Sequence, residues 1–234
     1  MSNEAAVPHA VVTGSSSGIG RAIASHLLEQ GWRVSGLDLA APTLSDAGFA
    51  HTAVDLSEAE GIARAAAVLQ DADALVHAAG VLRVGPLGQL DHAGGELMWR
   101  LHVDAATRLA DALVPAMAAR GSGRVVFVGS RVAQGLPGRG QYAATKAALV
   151  ALARSWAAEV AASGVTINVV SPGATQTAML NDPARAGSAP RLPPIGRLIQ
   201  PDEIAALVAF LLSAPAAAIT GQDIAICGGA SLHR

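Results

Sequence analysis

Tyr142 and Lys146 stand four residues apart in "QYAATKAALVALARSWAAEV" (141–160), and they are the only tyrosine and the only lysine among 234 residues. The alanine-rich run predicts a helix, and on a helix positions i and i+4 share a face. A free phenol titrates at about pH 10, too high for an efficient base at neutrality, but a neighbouring ammonium favours the phenolate. A phenol so placed can take the proton of an alcohol or return one to a ketone. Ser130 closes the β-type run "GRVVFVGS" (123–130), twelve residues before Tyr142. Its hydroxyl can orient the same substrate oxygen.

The second group with chemical meaning is the glycine turn in "VVTGSSSGIG" (11–20), which sets Gly14, Gly18 and Gly20 between a β-type run and a helical one. Glycines there let the backbone approach a pyrophosphate, and the helix that follows presents free N–H groups and a partial positive charge. The spacing, Gly-x3-Gly-x-Gly, differs from the common Gly-x-Gly-x-x-Gly fingerprint. Asp38 ends "RVSGLDL", at the distance where an acid accepts hydrogen bonds from the adenosine ribose hydroxyls. It would repel the extra phosphate of NADP, and neither the serines 15–17 nor "LAA" (39–41) offers an arginine to bind it. NAD is the expected cofactor.

These groups need elements to hold them, and the pattern supplies strands alternating with helices. β-Type runs read at 9–14, 32–39, 50–56, 73–80, 123–130, 164–173 and 222–229. Helical patterns read at 18–31, 57–70, about 91–120, 141–160 and 202–213, with a Ser57–Glu60 capping box opening the second. Near-continuous apolar strands separated by helices imply a parallel sheet covered on both faces, and right-handed crossovers make it doubly wound. The expectation is one domain, an α/β Rossmann-type doubly wound seven-stranded parallel sheet spanning 1–234. The proline-rich "SAPRLPPIGR" (188–197) reads as a surface loop.

Composition narrows the class further. The chain is 51% hydrophobic with a net charge of -2 and only 3% aromatic residues, which argues against a nucleic-acid partner. One cysteine, Cys227, leaves no internal disulfide and no Cys-rich metal site, and reads as a small buried residue. No basic-then-apolar leader opens the sequence. The apolar stretch 204–219 is shorter than a bilayer span and is interrupted by Pro215. A cytoplasmic protein with no membrane partner is expected.

In this order and context the motifs resemble those of the short-chain dehydrogenase/reductase family over nearly the whole chain. The matching stretches are "TGSSSGIG" (13–20), Asp38, "VDL" (54–56), "LVHAAG" (75–80), Ser130, "YAATK" (142–146), "SPGATQT" (171–177), "IGRLIQPDEIA" (195–205) and "GGASL" (228–232). The resemblance implies catalysis by Ser130, Tyr142 and Lys146, with Lys146 also holding the nicotinamide ribose. It implies cofactor contacts from Gly14, Ser16, Ser17, Gly18, Ile19 and Gly20, with Asp55 and Leu56 flanking the adenine. Ala79 and Gly80 would line the cofactor, and Pro172, Gly173, Thr175 and Thr177 would border the nicotinamide. It also implies a homo-oligomer, tetramer or dimer, and a substrate lid over about 178–193. Within the family, "AAGVLRVGPLGQL" and "SPGATQTAML" look most like the dihydro-dihydroxybenzoate dehydrogenases, which oxidise a cyclic dihydrodiol acid.

Three departures from the family pattern matter. His77-Ala78-Ala79-Gly80 replaces Asn-Asn-Ala-Gly, so part of the polar network that steadies the sheet is expected to be missing. The family's fourth catalytic member, an asparagine, aligns best with His102, with Asp104 the competing candidate. His102 either adds an ionisation near neutrality, shifting the acid limb of the pH–rate profile, or packs as a non-titrating side chain. Cys227 stands where an aspartate is frequent.

The implied reaction is hydride transfer between nicotinamide and a secondary alcohol or ketone. Arg185 and Arg191 in the lid, with Arg83, Arg131 and Arg139 expected near the pocket, mildly favour a small polar or acidic substrate. The rival reading is a non-catalytic NAD-binding sensor on the same fold. Such a protein can lose the tyrosine or the lysine, and this chain keeps both. A lyase or dehalogenase variant would lack the cofactor glycines or the lysine.

Overall fold

A computed structural model describes residues 7–181 and 192–232 of the chain. Seven strands form one sheet in the order β3-β2-β1-β4-β5-β6-β7. They are β1 His9–Thr13, β2 Arg33–Asp38, β3 Phe49–Ala53, β4 Ala74–His77, β5 Gly123–Val128, β6 Val165–Pro172 and β7 Asp223–Ile226. Every neighbouring pair is parallel. The helices are α1 Gly18–Glu29, α2 Ala59–Ala67, α3 His92–Trp99, α4 Ala105–Ala119, α5 Gly140–Val160 and α6 Pro201–Leu212. This is the doubly wound α/β architecture that the alternation predicts.

Strand periodicity divides the core between the two faces. Val11, Leu75, Val125, Phe127 and Ile167 project to the side covered by α2, α4 and α5. Their neighbours Ala10, Val12, Val76, Val126 and Val128 project to the side covered by α1 and α6. Phe127 is fully buried, with its ring edge-on to His77 and Trp156. Truncating a ring in such a place typically costs about 3–5 kcal/mol. Because the chain moves from β1 outward to β3 and then re-enters at β4 on the other side of β1, the crossovers diverge there. A crevice opens above the carboxyl ends of β1 and β4, the usual ligand position of such sheets.

Some local expectations change. The Ser57–Glu60 capping box does not form: Ser57 donates its hydroxyl and its N–H to Asp55 Oδ1, at 2.7 and 2.8 Å, and Glu58 is the N-cap of α2. The aspartate two residues upstream is a closer acceptor and turns the chain before the helix starts. The single helix expected at 91–120 is two, α3 and α4, joined by a π-helical turn at Arg100–Asp104. The 204–219 stretch ends its helix at Leu212 and continues as a 3₁₀ turn, Ala214–Ala216, around Pro215. No helix among the described residues is long and apolar enough to cross a membrane. Cys227 is buried.

Candidate active site

The glycine turn leads from β1 into α1. Gly14 has φ +68°, and a Cβ on it would sit 2.9 Å from the Ala79 Cα. A Cβ on Gly20 would lie 2.2 Å from the Gly14 carbonyl oxygen. Both positions therefore require glycine, and the backbone of α1 is pressed onto the sheet as a shallow cradle. Ser17 is the N-cap and makes no side-chain capping bond, so first-turn N–H groups of α1 stay available for a ligand. These residues fit the pyrophosphate of a nicotinamide dinucleotide. Asp38 is held beside the turn, its Oδ2 accepting from the Ser16 N–H at 2.9 Å and its Oδ1 from the Ala40 N–H at 2.8 Å. Ser16 Oγ donates to the Ala40 carbonyl and Thr43 Oγ1 to the Ser16 carbonyl, which locks the loop after β2 against the glycine turn.

From this end a cleft of about 700 Å³ runs across the top of the sheet. Ile19 and Thr177 line one part of it, and Ser130, Tyr142 and Lys146 another. Ser130 caps the 3₁₀ turn that follows β5, its Oγ accepting from the Val132 N–H at 3.2 Å. Helix α5 carries Tyr142 and Lys146 at the head of its buried stripe, followed by Leu149, Ala153 and Ala157. Lys146 is 5% exposed, donates to the Val128 carbonyl at 2.9 Å and places its Nζ 5.8 Å from the Tyr142 ring centroid. Burial lowers its pKa to about 7. Both side chains singled out from their spacing thus reach one cleft.

The π turn aims His102 into the same place. Its imidazole is fully buried, edge-on to the Tyr142 ring with centroids 5.6 Å apart. Nε2 accepts from the Val81 N–H at 3.1 Å, which leaves the proton on Nδ1, 2.8 Å from Thr145 Oγ1. Thr145 in turn donates to the Tyr142 carbonyl at 2.8 Å. The network fixes the neutral tautomer. Burial, then the Lys146 charge and His77, push the imidazole well below its usual range. Of the two readings left open for His102, the geometry favours the non-titrating one. Asp104 is not among the lining residues. His102→Asn should therefore lower kcat severalfold but leave the acid limb of the kcat/KM–pH profile in place. A displaced limb would show that His102 titrates.

The polar network expected to be missing at His77 is present in another form. Thr13 Oγ1 accepts from the N–H groups of Ala78 and Ala79, each at 3.0 Å. Its own proton goes to His77 Nδ1 at 3.0 Å, and His77 Nε2 reaches the Leu101 carbonyl at 3.0 Å. One imidazole spans β1, β4 and the π turn. It is neutral, with its pKa lowered to about 3 chiefly by burial and then by the Lys146 charge.

Several predicted contacts sit elsewhere or beyond view. Gly80, Pro172, Gly173 and Thr175 line the cleft with Thr177, whereas Ala79 lies behind the glycine turn. Leu56 is 5% exposed in the core on the α2 side, and Asp55 holds the turn before α2. Arg131 and Arg139 line the cleft, and Arg83 does not. The segment expected to form a lid starts with a 3₁₀ turn at Ala178–Asn181, and its residues 182–191, with Arg185 and Arg191, lie outside the described residues. Sequence reasoning assigned nothing to Thr13 and Thr145. Both stand inside quoted motifs, directly before Gly14 and Lys146, and that adjacency was the available signal.

A doubly wound sheet with a glycine cradle at one end of a cleft and a Ser–Tyr–Lys set at the other defines an oxidoreductase that uses a nicotinamide cofactor. Comparison with known proteins places it. A family model described as enoyl-(acyl carrier protein) reductase matches residues 14–231. The 3-oxoacyl-(acyl-carrier-protein) reductase FabG of Escherichia coli is 37% identical, covering 94% of this chain and 96% of its own. The cis-4-hydroxycyclohexanecarboxylate dehydrogenase of Sinomonas cyclohexanicum is also 37% identical, over 94% and 95%. A solved short chain dehydrogenase/reductase family protein superposes with a TM-score of 0.86 at 34% identity, over 97% and 98% of the two chains. The chain belongs to the short-chain dehydrogenase/reductase family.

Proposed function

We propose that this chain is an NAD-dependent dehydrogenase or ketone reductase acting on the carbinol carbon of a small, polar secondary alcohol, working as a homo-oligomer. The observation that carries this reading is the convergence of Ser130, Tyr142 and Lys146 on one cleft whose far side begins at the glycine turn. Bound there, the nicotinamide would give or take the hydride. The chain's own residues manage the proton. Ser130 Oγ orients the substrate oxygen, and Tyr142 Oη accepts its proton in oxidation or returns it in reduction. The Lys146 ammonium, held from below by the Val128 carbonyl, favours the phenolate by Coulomb attraction. His102 and Thr145 fix where the Tyr142 ring and backbone sit. Spectrophotometric turnover of NAD with a panel of secondary alcohols and hydroxy acids tests the reading. Absence of turnover with NADH binding intact would favour the sensor reading.

The choice of NAD rests on Asp38. A carboxylate at the ribose position opposes a 2′-phosphate, and at short range that repulsion is worth about 1–4 kcal/mol. Wild-type protein should prefer NAD by at least about fivefold in kcat/KM on that scale. Asp38→Asn removes the charge and keeps a side-chain oxygen for the Ser16 or Ala40 N–H. It should narrow the ratio roughly tenfold, with a fall in stability of about 1–3 kcal/mol because one of the two N–H groups loses its acceptor. Equal use of both nucleotides by the wild type would refute the assignment.

A further inference from the structure

The cleft has a one-sided charge. Among the described residues, the ionisable side chains that line it, the neutral histidine aside, are Tyr142 and three bases, Arg131, Arg139 and Lys146, with no aspartate or glutamate. The chain as a whole carries -2, so this positive site is local rather than a reflection of net charge. Lys146 is committed to the Val128 carbonyl and the tyrosine. Arg131 has no such role. It leaves the strand end directly after Ser130, is half-buried, and makes one side-chain hydrogen bond among the described residues, 3.3 Å to the neutral carbonyl of Ala230, which also lines the cleft. A guanidinium carries five N–H donors in a planar fork. Among the described residues only the Ala230 carbonyl takes one of them, and no described carboxylate pairs with the charge. A field focused in a low-dielectric cleft attracts a counter-ion.

Resting on the oxidoreductase reading, we propose that the substrate is a carboxylate: a small hydroxy or oxo acid whose anionic end is bound by Arg131, with Arg139 on the same lining, while its carbinol faces Ser130 and Tyr142. The fork of Arg131 matches the two oxygens of a carboxylate. Arg131 follows Ser130 immediately in sequence, so one short segment would hold both ends of the substrate. The carboxylate would sit about a ring's width from the carbinol rather than at the end of a long acyl chain. The cyclic hydroxy acid in the name of the Sinomonas relative has this shape.

The test compares 4-hydroxycyclohexanecarboxylate with its methyl ester as substrates for the wild type and for Arg131→Met. The wild type should favour the acid, and the substitution should cut that preference about ten- to hundredfold, mainly through KM. Arg131→Lys should restore part of it. Equal wild-type rates on acid and ester, or a substitution that lowers both equally, would overturn the proposal. Binding of cyclohexanecarboxylate and of its amide to the protein–NADH complex, read by calorimetry, needs no turnover. Tighter binding of the acid that disappears in Arg131→Met supports the proposal even if the oxidoreductase reading fails. Loss of NADH affinity in Arg131→Met as large as the loss for the acid would assign the guanidinium to the cofactor's own phosphates and overturn it. So would efficient reduction of a 3-oxoacyl thioester with no dependence on Arg131.

Discussion

Tyr142→Phe is expected to lower kcat by about 10²–10⁴, the range general acid–base catalysis supplies, while the protein stays folded and binds NADH as the wild type does. The substitution removes one oxygen and keeps the ring, so the edge-on contact with His102 at 5.6 Å survives. The Tyr142 carbonyl still accepts from Thr145, because that bond belongs to the backbone. The change therefore isolates proton transfer from positioning. Nucleotide binding is read by fluorescence titration, folding by thermal denaturation, and turnover by nicotinamide absorbance. A residual activity within tenfold of wild type would mean that another group moves the proton, and the role given to Tyr142 would fall. A parallel loss of NADH binding would point to damage in the cleft instead.

What the sequence made legible follows from how local each feature is. The Tyr142–Lys146 pairing needs only helical periodicity, and α5 delivers both side chains to one cleft. Gly14 and Gly20 are read from a turn that demands an absent Cβ, and the clash distances bear that demand out. The sheet followed from strands that are apolar on both faces. Other features depend on residues far apart in the chain. The His77 contacts span 64 and 24 positions, so a missing asparagine looked like a missing network when a longer side chain had rebuilt it. The protonation of His102 was undecidable until Val81 and Thr145 were seen to occupy both nitrogens. The π turn that aims it leaves no mark in a pattern of apolar spacing. The capping box failed for a different reason, since Asp55 competed for the same serine at closer range.

Lys146→Met carries the second large effect, and it acts in opposite directions on activity and stability. Activity should drop at least about a hundredfold, because the phenolate loses its neighbouring cation and the cleft loses a donor. Stability at neutral pH should rise. Burial takes the lysine from an ordinary 10.5 down to about 7, so between those values the unfolded chain binds a proton that the folded chain does not. Stability contributed by this site therefore climbs as pH rises from about 7 to 10.5, and its penalty is greatest at and below pH 7. At about 1.4 kcal/mol per unit the penalty is bounded by roughly 5 kcal/mol. Methionine escapes it but leaves the Val128 carbonyl without its donor, a loss of about 1–3 kcal/mol. A net gain of up to roughly 2–4 kcal/mol at pH 6–7 should remain, fading toward zero or below near pH 10. Urea unfolding of both proteins across that range measures it, since titrating groups that do not feel the Lys146 charge cancel in the difference. The lysine is unique, so ¹³C labelling at its ε carbon yields one resonance whose midpoint reads the site directly. A midpoint near 10 in the free protein, with no stability gain at pH 7, would show that the ammonium is solvated. The tyrosine would then lack the buried cation on which its chemistry is argued to depend.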